Sequence, residues 1–225
     1  MALQQGIPVI AIDSDAPNSK RPFFVGTDNY LAGKLSGHLT SMMVNGKGNV
    51  VVFTKPAQPN TKARIDGYRR AIAEHPDVKI IQVVDMQGDP KVVSDIPKRL
   101  LDSKTKVDAF VCLEAISCPE VADVVNRANM GGKITIVAMD TDQRTIDWIR
   151  KGVISATVGQ KPFTMAYYGA KLLDDLHHHT PSPLKGDWAQ SGTSPIPTFV
   201  DTGVFIVDKE SVASFLQQNK GAASQ

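Results

Sequence analysis

The stretch Asn49-Val50-Val51-Val52-Phe53-Thr54 is a short run of β-branched and aromatic residues, and its surroundings decide the fold class. It reads as a buried strand. Downstream, Ile65, Tyr68 and Ile72 recur at the i, i+3, i+7 spacing of an amphipathic helix, and Val78 to Val84 returns to strand character. The same alternation extends in both directions. Further strands are predicted over Pro8 to Ile12, Phe23 to Gly26, Val107 to Leu113, Ile134 to Met139, Ile154 to Val158 and Val204 to Val207. Helix stripes lie between them: Leu31, Leu35, Leu39 and Met43; Val93, Ile96 and Leu100; Val121, Val124 and Ala128; Met165, Leu172 and Leu176. Asp28 and Asn29 are cap candidates for the first helix, and Asn60 or Thr61 for the second. Strand-helix-strand order at this spacing predicts an α/β fold, a parallel sheet with helices on both faces. Thr180 to Pro197 carries Pro181, Pro183, Pro195 and Pro197 and reads as a long surface loop or a connection between lobes. Lys220 to Gln225 reads as a frayed tail.

Composition narrows the function classes. The chain has 225 residues, 42% of them hydrophobic and 21% charged, which excludes wholesale disorder and a disulfide-dense miniature scaffold. A formal net charge of +2 gives no electrostatic case for nucleic acid or an anionic membrane as partner. No stretch approaches the roughly 18 consecutive apolar residues of a membrane-spanning helix. The segment Met1 to Gly6 has neither the basic region nor the apolar core of a signal peptide. Cys112 and Cys118 are the only cysteines, too few for a disulfide framework or a zinc site. They read as one thiol buried in a strand and one near a helix start, and their redox state stays open.

In an open parallel sheet, ligands bind outside the carboxyl ends of the strands, so the first strongly polar residue after each apolar run is informative. Asp13 follows Val9 to Ile12, Glu114 follows Phe110 to Leu113, Asp140 follows Ile134 to Met139, and Gln160 follows Ala156 to Gly159. Arg64 opens the helix after the Asn49 to Thr54 strand. Any one of these is usually a cap or a loop residue. Together they describe a cleft whose carboxylates accept from hydroxyls and whose guanidinium donates in a planar fork, which suits a neutral ligand dense in hydroxyl groups. One Arg against three acids fits an anionic ligand poorly; a cationic one stays open.

Catalytic signatures are missing: no G-x-G-x-x-G, no G-x-x-x-x-G-K-[ST], no G-x-S-x-G and no H-E-x-x-H occurs. His177-His178-His179 reads as a solvated helix end, and Trp148 and Trp188 as packing residues. The chain is read as non-catalytic, with no cofactor and no metal.

At these residues the chain resembles the type I periplasmic sugar-binding proteins of the ribose-binding group, whose ligand domain is shared with repressors of the lactose-repressor family. The likeness runs from about Gln5 to Phe215. Gly6 to Asp13 resembles the family's strand ending in a ligand-contacting Asp, and Asp28-Asn29-x-x-Ala32-Gly33-Lys34-Leu35-x-Gly37 its first crossing segment and the following helix. Arg64-x-x-Gly67-Tyr68 resembles the family's R-x-x-G-F helix start, Asp140 its second strand-ending Asp, and Gln160 the Gln of a second crossing. Glu114 departs from the pattern, standing where the ribose binders carry Asn, an acceptor in place of a donor-acceptor group. The resemblance implies a ligand set of Asp13, Arg64, Glu114, Asp140 and Gln160, and a monosaccharide held between two lobes. It also implies delivery to the membrane permease of an ABC-type importer, and a periplasmic or extracytoplasmic location. It implies a partial first lobe over residues 1–28, a second lobe over 29–160, a return and crossing over 161–219, and a tail over 220–225. The first-lobe segment that the family places before Gly6, with its export signal and sugar-stacking aromatics, is absent from this chain. First-lobe strands without partners would favour self-association. An effector-sensing domain of a transcription regulator is the alternative reading, and a hydrolase or phosphoryl-transfer domain using the strand-end acids is a third.

Micromolar binding corresponds to about −8 kcal/mol, whereas a charge-assisted hydrogen bond nets about 1.5 to 3 kcal/mol before ordering costs. Without an apolar stacking surface, this chain is therefore expected to bind pentoses and hexoses weakly in calorimetric titration. A submicromolar dissociation constant would refute that expectation.

Overall fold

The computed structural model describes Ala2, Gln5 and residues 7–87, 89–179 and 196–222. Gly6, Trp188 and most of the loop expected over Thr180 to Pro197 lie outside them, as do residues 223–225 of the expected tail. The chain forms two compact units. Unit 1 takes the residues up to Asp28 and Gln160–Val204; unit 2 takes Asn29–Gly159 and the chain from Phe205 onward. The stretch read as 161–219 thus divides between the two.

Unit 2 contains the strands β3 (Gly48–Thr54), β4 (Val78–Asp85), β5 (Ala109–Cys112), β6 (Thr135–Met139), β7 (Ala156–Gly159) and β9 (Phe205–Asp208). Their order in the sheet is β4-β3-β5-β6-β7-β9, parallel throughout except for β9, which runs antiparallel to β7 at one edge. That antiparallel pairing is what ties the chain beyond Phe205 to unit 2. The helices are α1 (Asn29–Met43), α2 (Pro59–Ile72), α3 (Pro90–Asp102), α4 (Ser117–Arg127), α5 (Gln143–Arg150) and α7 (Val212–Ala222). Side chains alternate across each strand. Val51, Phe53, Phe110, Cys112, Ile136 and Ala138 join one core with Val93, Val121, Val125, Ile146, Ile149 and Val212 of the helices. Phe53 and Phe110 are fully buried with ring centroids 6.2 Å apart. Each contributes about 2 to 3 kcal/mol from burial.

The opposite face is covered differently from the apolar stripe expected on α1. Of that stripe Leu39 is buried, but Leu31 is exposed and Leu35 and Met43 only half-buried, while Ala32, Gly33, Ser36, Gly37, Thr40 and Ser41 are buried. The reason is the approach of α2. A Cβ on Gly33 would collide with the Arg64 carbonyl, one on Gly67 with the Tyr30 carbonyl, and one on Gly37 would lie 2.7 Å from the Ala71 methyl. Backbone therefore meets backbone, and only small side chains fit between. Tyr68 is wholly buried in this layer. Burial pushes its phenol pKa up, and the neighbouring Thr40 hydroxyl pulls less strongly the other way.

Two local expectations are corrected. Helix α2 is not capped by Asn60 or Thr61: it starts from Gln58 with Pro59 in the first turn, and the Thr61 hydroxyl instead donates to the Lys55 and Gln58 carbonyls. Cys112 and Cys118 do lie at a strand end and in a first helical turn, but they form a disulfide, with Cα atoms 5.7 Å apart.

Unit 1 has a three-stranded parallel sheet in the order β1-β2-β8, made of β1 (Ala11–Ile12), β2 (Phe24–Gly26) and β8 (Phe199–Asp201). Helix α6 (Pro162–His178) packs on β1 and β2, bringing Met165 against Phe23 and Val25, with Leu172 and Leu176 alongside. The His177 to His179 run lies exposed at the end of α6. Strand β8 has no counterpart among the predicted strands; its three residues follow Pro195 and Pro197 too closely to show alternation.

Gly33→Ala is expected to destabilise the protein by about 2 kcal/mol or more, from overpacking against the Arg64 carbonyl. Gly46→Ala, where φ is +73° and no atom crowds the position, is expected to cost about 1 kcal/mol. Equal denaturation midpoints for the two variants would contradict the packing account. The disulfide predicts that the oxidised, guanidinium-unfolded protein shows no free thiol, and that reduction lowers stability by about 2 kcal/mol. Two titratable thiols before reduction would contradict it.

Candidate functional site

A parallel sheet has one place where consecutive connections depart in opposite directions, leaving a crevice at the carboxyl ends of two adjacent strands. In unit 2 the chain goes from β3 to β4 on one side and then to β5 on the other, so the switch point lies between β3 and β5. Lys55 follows β3, and Leu113 and Glu114 follow β5. The carboxyl end of β6, carrying Asp140, is next in line.

Arg64 is brought to this rim by the helix crossing. It is 4% exposed; its Nε donates to Asn29 Oδ1 at 2.8 Å and its Nη1 to the Leu113 carbonyl at 3.1 Å. The guanidinium thus bridges the first residue of α1, the helix α2 and the end of β5. Asn29, a cap candidate by its place in the sequence, serves as the acceptor that orients Arg64.

Glu114 is buried, and its carboxylate turns back onto the helix that follows. Oε2 accepts from the Ile116 amide at 3.0 Å; Oε1 accepts from the Ser117 amide at 2.9 Å and from the Ser117 hydroxyl. A carboxylate at a helix N-terminus satisfies amides that have no partner within the helix. The Lys55 ammonium stands 3.8 Å from Oε2. Lys55 is the residue that sequence reasoning passed over. The rule used for the other strands, first strongly polar residue after the apolar run, points to it directly, since it follows Thr54.

Asp140 and Asp13 share a backbone device although they belong to different units. Their φ angles are +68° and +66°, a region that Asp tolerates better than most residues. Each amide donates to the strand next door: Asp140 to the Val158 carbonyl at 2.8 Å, Asp13 to the Val25 carbonyl at 3.1 Å. In both cases the preceding residue is registered opposite the same acceptor, Met139 with Val158 and Ile12 with Val25. The left-handed turn ends the strand while the last amide is still paired. The Thr157 hydroxyl also donates to the Asp140 carbonyl at 2.6 Å. Asp140 is half-buried and Asp13 exposed. Gln160 directly follows β7 and is counted with unit 1. Of the five residues singled out, Arg64, Glu114 and Asp140 therefore share the carboxyl-end rim of one sheet; Asp13 ends β1 of the other unit.

Among the described residues, no group of three His, Cys, Asp or Glu side chains is placed to hold a metal ion.

Comparison with known proteins agrees with this architecture. The periplasmic binding protein domain family matches residues 1–179. The chain is 34% identical to a sugar-binding protein of a sugar ABC transporter from Bacillus halodurans, covering 95% of this chain and 73% of that one, with a TM-score of 0.86. It is 31% identical to the arabinose-binding protein AraP from Geobacillus stearothermophilus, covering 95% and 72%, with a TM-score of 0.84. Among curated relatives, the D-allose-binding periplasmic protein of Escherichia coli is 24% identical over 183 residues, 77% of this chain. The chain spans 59% of that relative's length. By the family match, the strand order and the switch-point rim together, the chain belongs to the periplasmic binding protein family and has the type I fold of its sugar-binding members.

Proposed function

We propose that this chain is a non-catalytic solute-binding component of an ABC-type sugar importer, working outside the cytoplasm, and that it binds a monosaccharide. The observation that carries this reading is the set of charged side chains held at the β3/β5 switch point and along the same rim: a buried, two-point-anchored guanidinium in Arg64, and Asp140 on a left-handed strand end. Fixed donors and acceptors at a strand rim discriminate between hydroxyl configurations, because a misplaced hydroxyl leaves a buried polar group unpaired. The proposed ligand residues of unit 2 are Arg64 and Asp140, with Glu114 beside them on the rim; Asp13 and Gln160 are the proposed ligand residues of unit 1. The names of the similar proteins, which include allose, ribose, xylose and arabinose binders, support a pentose or hexose as the ligand class. The permease of the importer is the proposed protein partner. A solute carrier must release its ligand unchanged. The geometry suits such a role, since Arg64 is anchored by hydrogen bonds to Asn29 and to the Leu113 carbonyl.

Titration with a panel of aldopentoses and aldohexoses, followed by NMR chemical-shift changes to reach weak affinities, tests the reading. Arg64→Ala and Asp140→Ala are each expected to weaken binding of the preferred sugar by roughly tenfold or more, the loss of a charge-assisted hydrogen bond. Asp102→Ala, at the end of α3, is expected to leave it unchanged. Binding that is insensitive to both rim substitutions would remove the reading's basis, as would no response to any sugar.

A further inference from the structure

Lys55 occupies one side of the switch-point crevice, and its main chain is clamped there. Its carbonyl accepts from the Gln58 amide at 2.9 Å and from the Thr61 hydroxyl. Its side chain is 22% exposed, and the one ionic partner among the described residues is Glu114, at 3.8 Å. That distance gives Coulombic attraction but is too long for a hydrogen bond. Among the described residues, no protein acceptor takes a hydrogen bond from the Lys55 ammonium, a group with three donors that is costly to bury without acceptors. Glu114 is in the opposite condition. Two backbone amides and a hydroxyl of the α4 N-terminus take three of the roughly four acceptor positions of its carboxylate. At this corner the acceptor is mostly used by the fold, and the donor is not.

We propose that Lys55 is a specificity-determining residue of the ligand site. Its ammonium donates to an oxygen of the ligand, and Glu114 acts through Lys55 as a positioning residue without touching the ligand. The inference rests on the sugar-binding reading and sharpens it, because it turns a corner expected from Glu114 to accept hydrogen bonds into one that donates them. The ligand chemistry that fits is an oxygen with available lone pairs. Glu114 balances the charge of Lys55, so a neutral hydroxyl suits the corner better than a carboxylate, whose charge would face Glu114 across the ammonium. The hydrogen bonds on the Lys55 carbonyl hold the base of its side chain in place.

The test is titration of the intact chain with neutral aldoses and with the matching uronates, comparing wild type, Lys55→Met, Lys55→Arg, Glu114→Gln and the double variant Lys55→Met/Glu114→Gln. Lys55→Met keeps the apolar stem and is expected to weaken binding of the preferred neutral sugar by roughly tenfold or more. Lys55→Arg keeps a charged donor and is expected to stay within roughly threefold of wild type. Glu114→Gln is expected to weaken binding in the wild-type background and to have no further effect once Lys55 is Met, the signature of a residue acting through its neighbour. Unchanged affinity in Lys55→Met overturns the proposal, as does an effect of Glu114→Gln that is equally large in both backgrounds. Tighter binding of the uronate than of the neutral sugar overturns the hydroxyl assignment. Circular dichroism melting of each variant separates lost binding from lost folding, and if Lys55→Met does not fold, Lys55→Gln takes its place in the same cycle. A wild-type protein that binds no sugar overturns both readings, whereas wild-type binding that survives Lys55→Met overturns this one alone.

Discussion

Helix α1 can reach helix α2 only where there is no side chain between them. Gly33 lies against the Arg64 carbonyl, Gly67 against the Tyr30 carbonyl, and Gly37 against Ala71. This backbone-to-backbone approach fixes where Arg64 begins, and so where its guanidinium ends. With α1 this close, Asn29 is within 2.8 Å of Arg64 Nε, and the end of β5 can supply the second acceptor. A single methyl group at Gly33 would push apart the two helices that hold the most buried charge of the rim. The same layer buries Tyr68 completely, so the packing of α1 on α2 both adds to the stability of unit 2 and places Arg64.

The rim owes its polarity to different devices at each strand end. After β5, the carboxylate of Glu114 is drawn onto the N-terminus of α4, where amides without helical partners and the Ser117 hydroxyl receive it. The Cys112–Cys118 disulfide spans the same loop, tying the last residue of β5 to the first turn of α4 and leaving the segment that carries Leu113 and Glu114 little freedom. After β6, the strand ends in a left-handed Asp140, whose amide is still held by β7. The repetition of that turn at Asp13, after β1, shows the same solution in a separate sheet: an aspartate ends the ladder and accepts about 1 kcal/mol of backbone strain in doing so.

Much of this is legible in the residues. Alternation of apolar runs with amphipathic stripes locates the strands β3 to β7 and the helices α2, α3 and α4, because buried parallel strands are nearly continuous in Val, Ile and Phe; the eight-residue α5, between β6 and β7, is too short to show such a stripe. Where reading fails, the cause is physical in each instance. The leucine spacing of α1 points to an apolar buried stripe, yet of its members only Leu39 is buried and the helix otherwise buries its small residues, since proximity to α2 matters more there than side-chain area. Strand β8 is three residues long and its pairing with β2 is set by residues distant in sequence, so no local pattern marks it. The Thr61 hydroxyl suggests a cap, but the Lys55 carbonyl offers that hydroxyl a nearer partner. Lys55 itself is legible and is overshadowed by Arg64, which has the more distinctive surroundings in sequence.

The spacing of apolar residues sets the α/β class, the ends of strands β3 to β7 and the residue types found there, because periodicity and burial are local consequences of which side chains are apolar. It could not determine which of those side chains remain available to a ligand. Only the tertiary structure turned Glu114 into a helix-terminus acceptor, joined Cys112 to Cys118, gave Arg64 its two anchors and left the Lys55 ammonium without a hydrogen-bond acceptor among the described residues. Hydrogen bonds are decided by distances of a few tenths of an ångström between groups far apart along the chain, and those distances exist only once the helices have packed against the sheet.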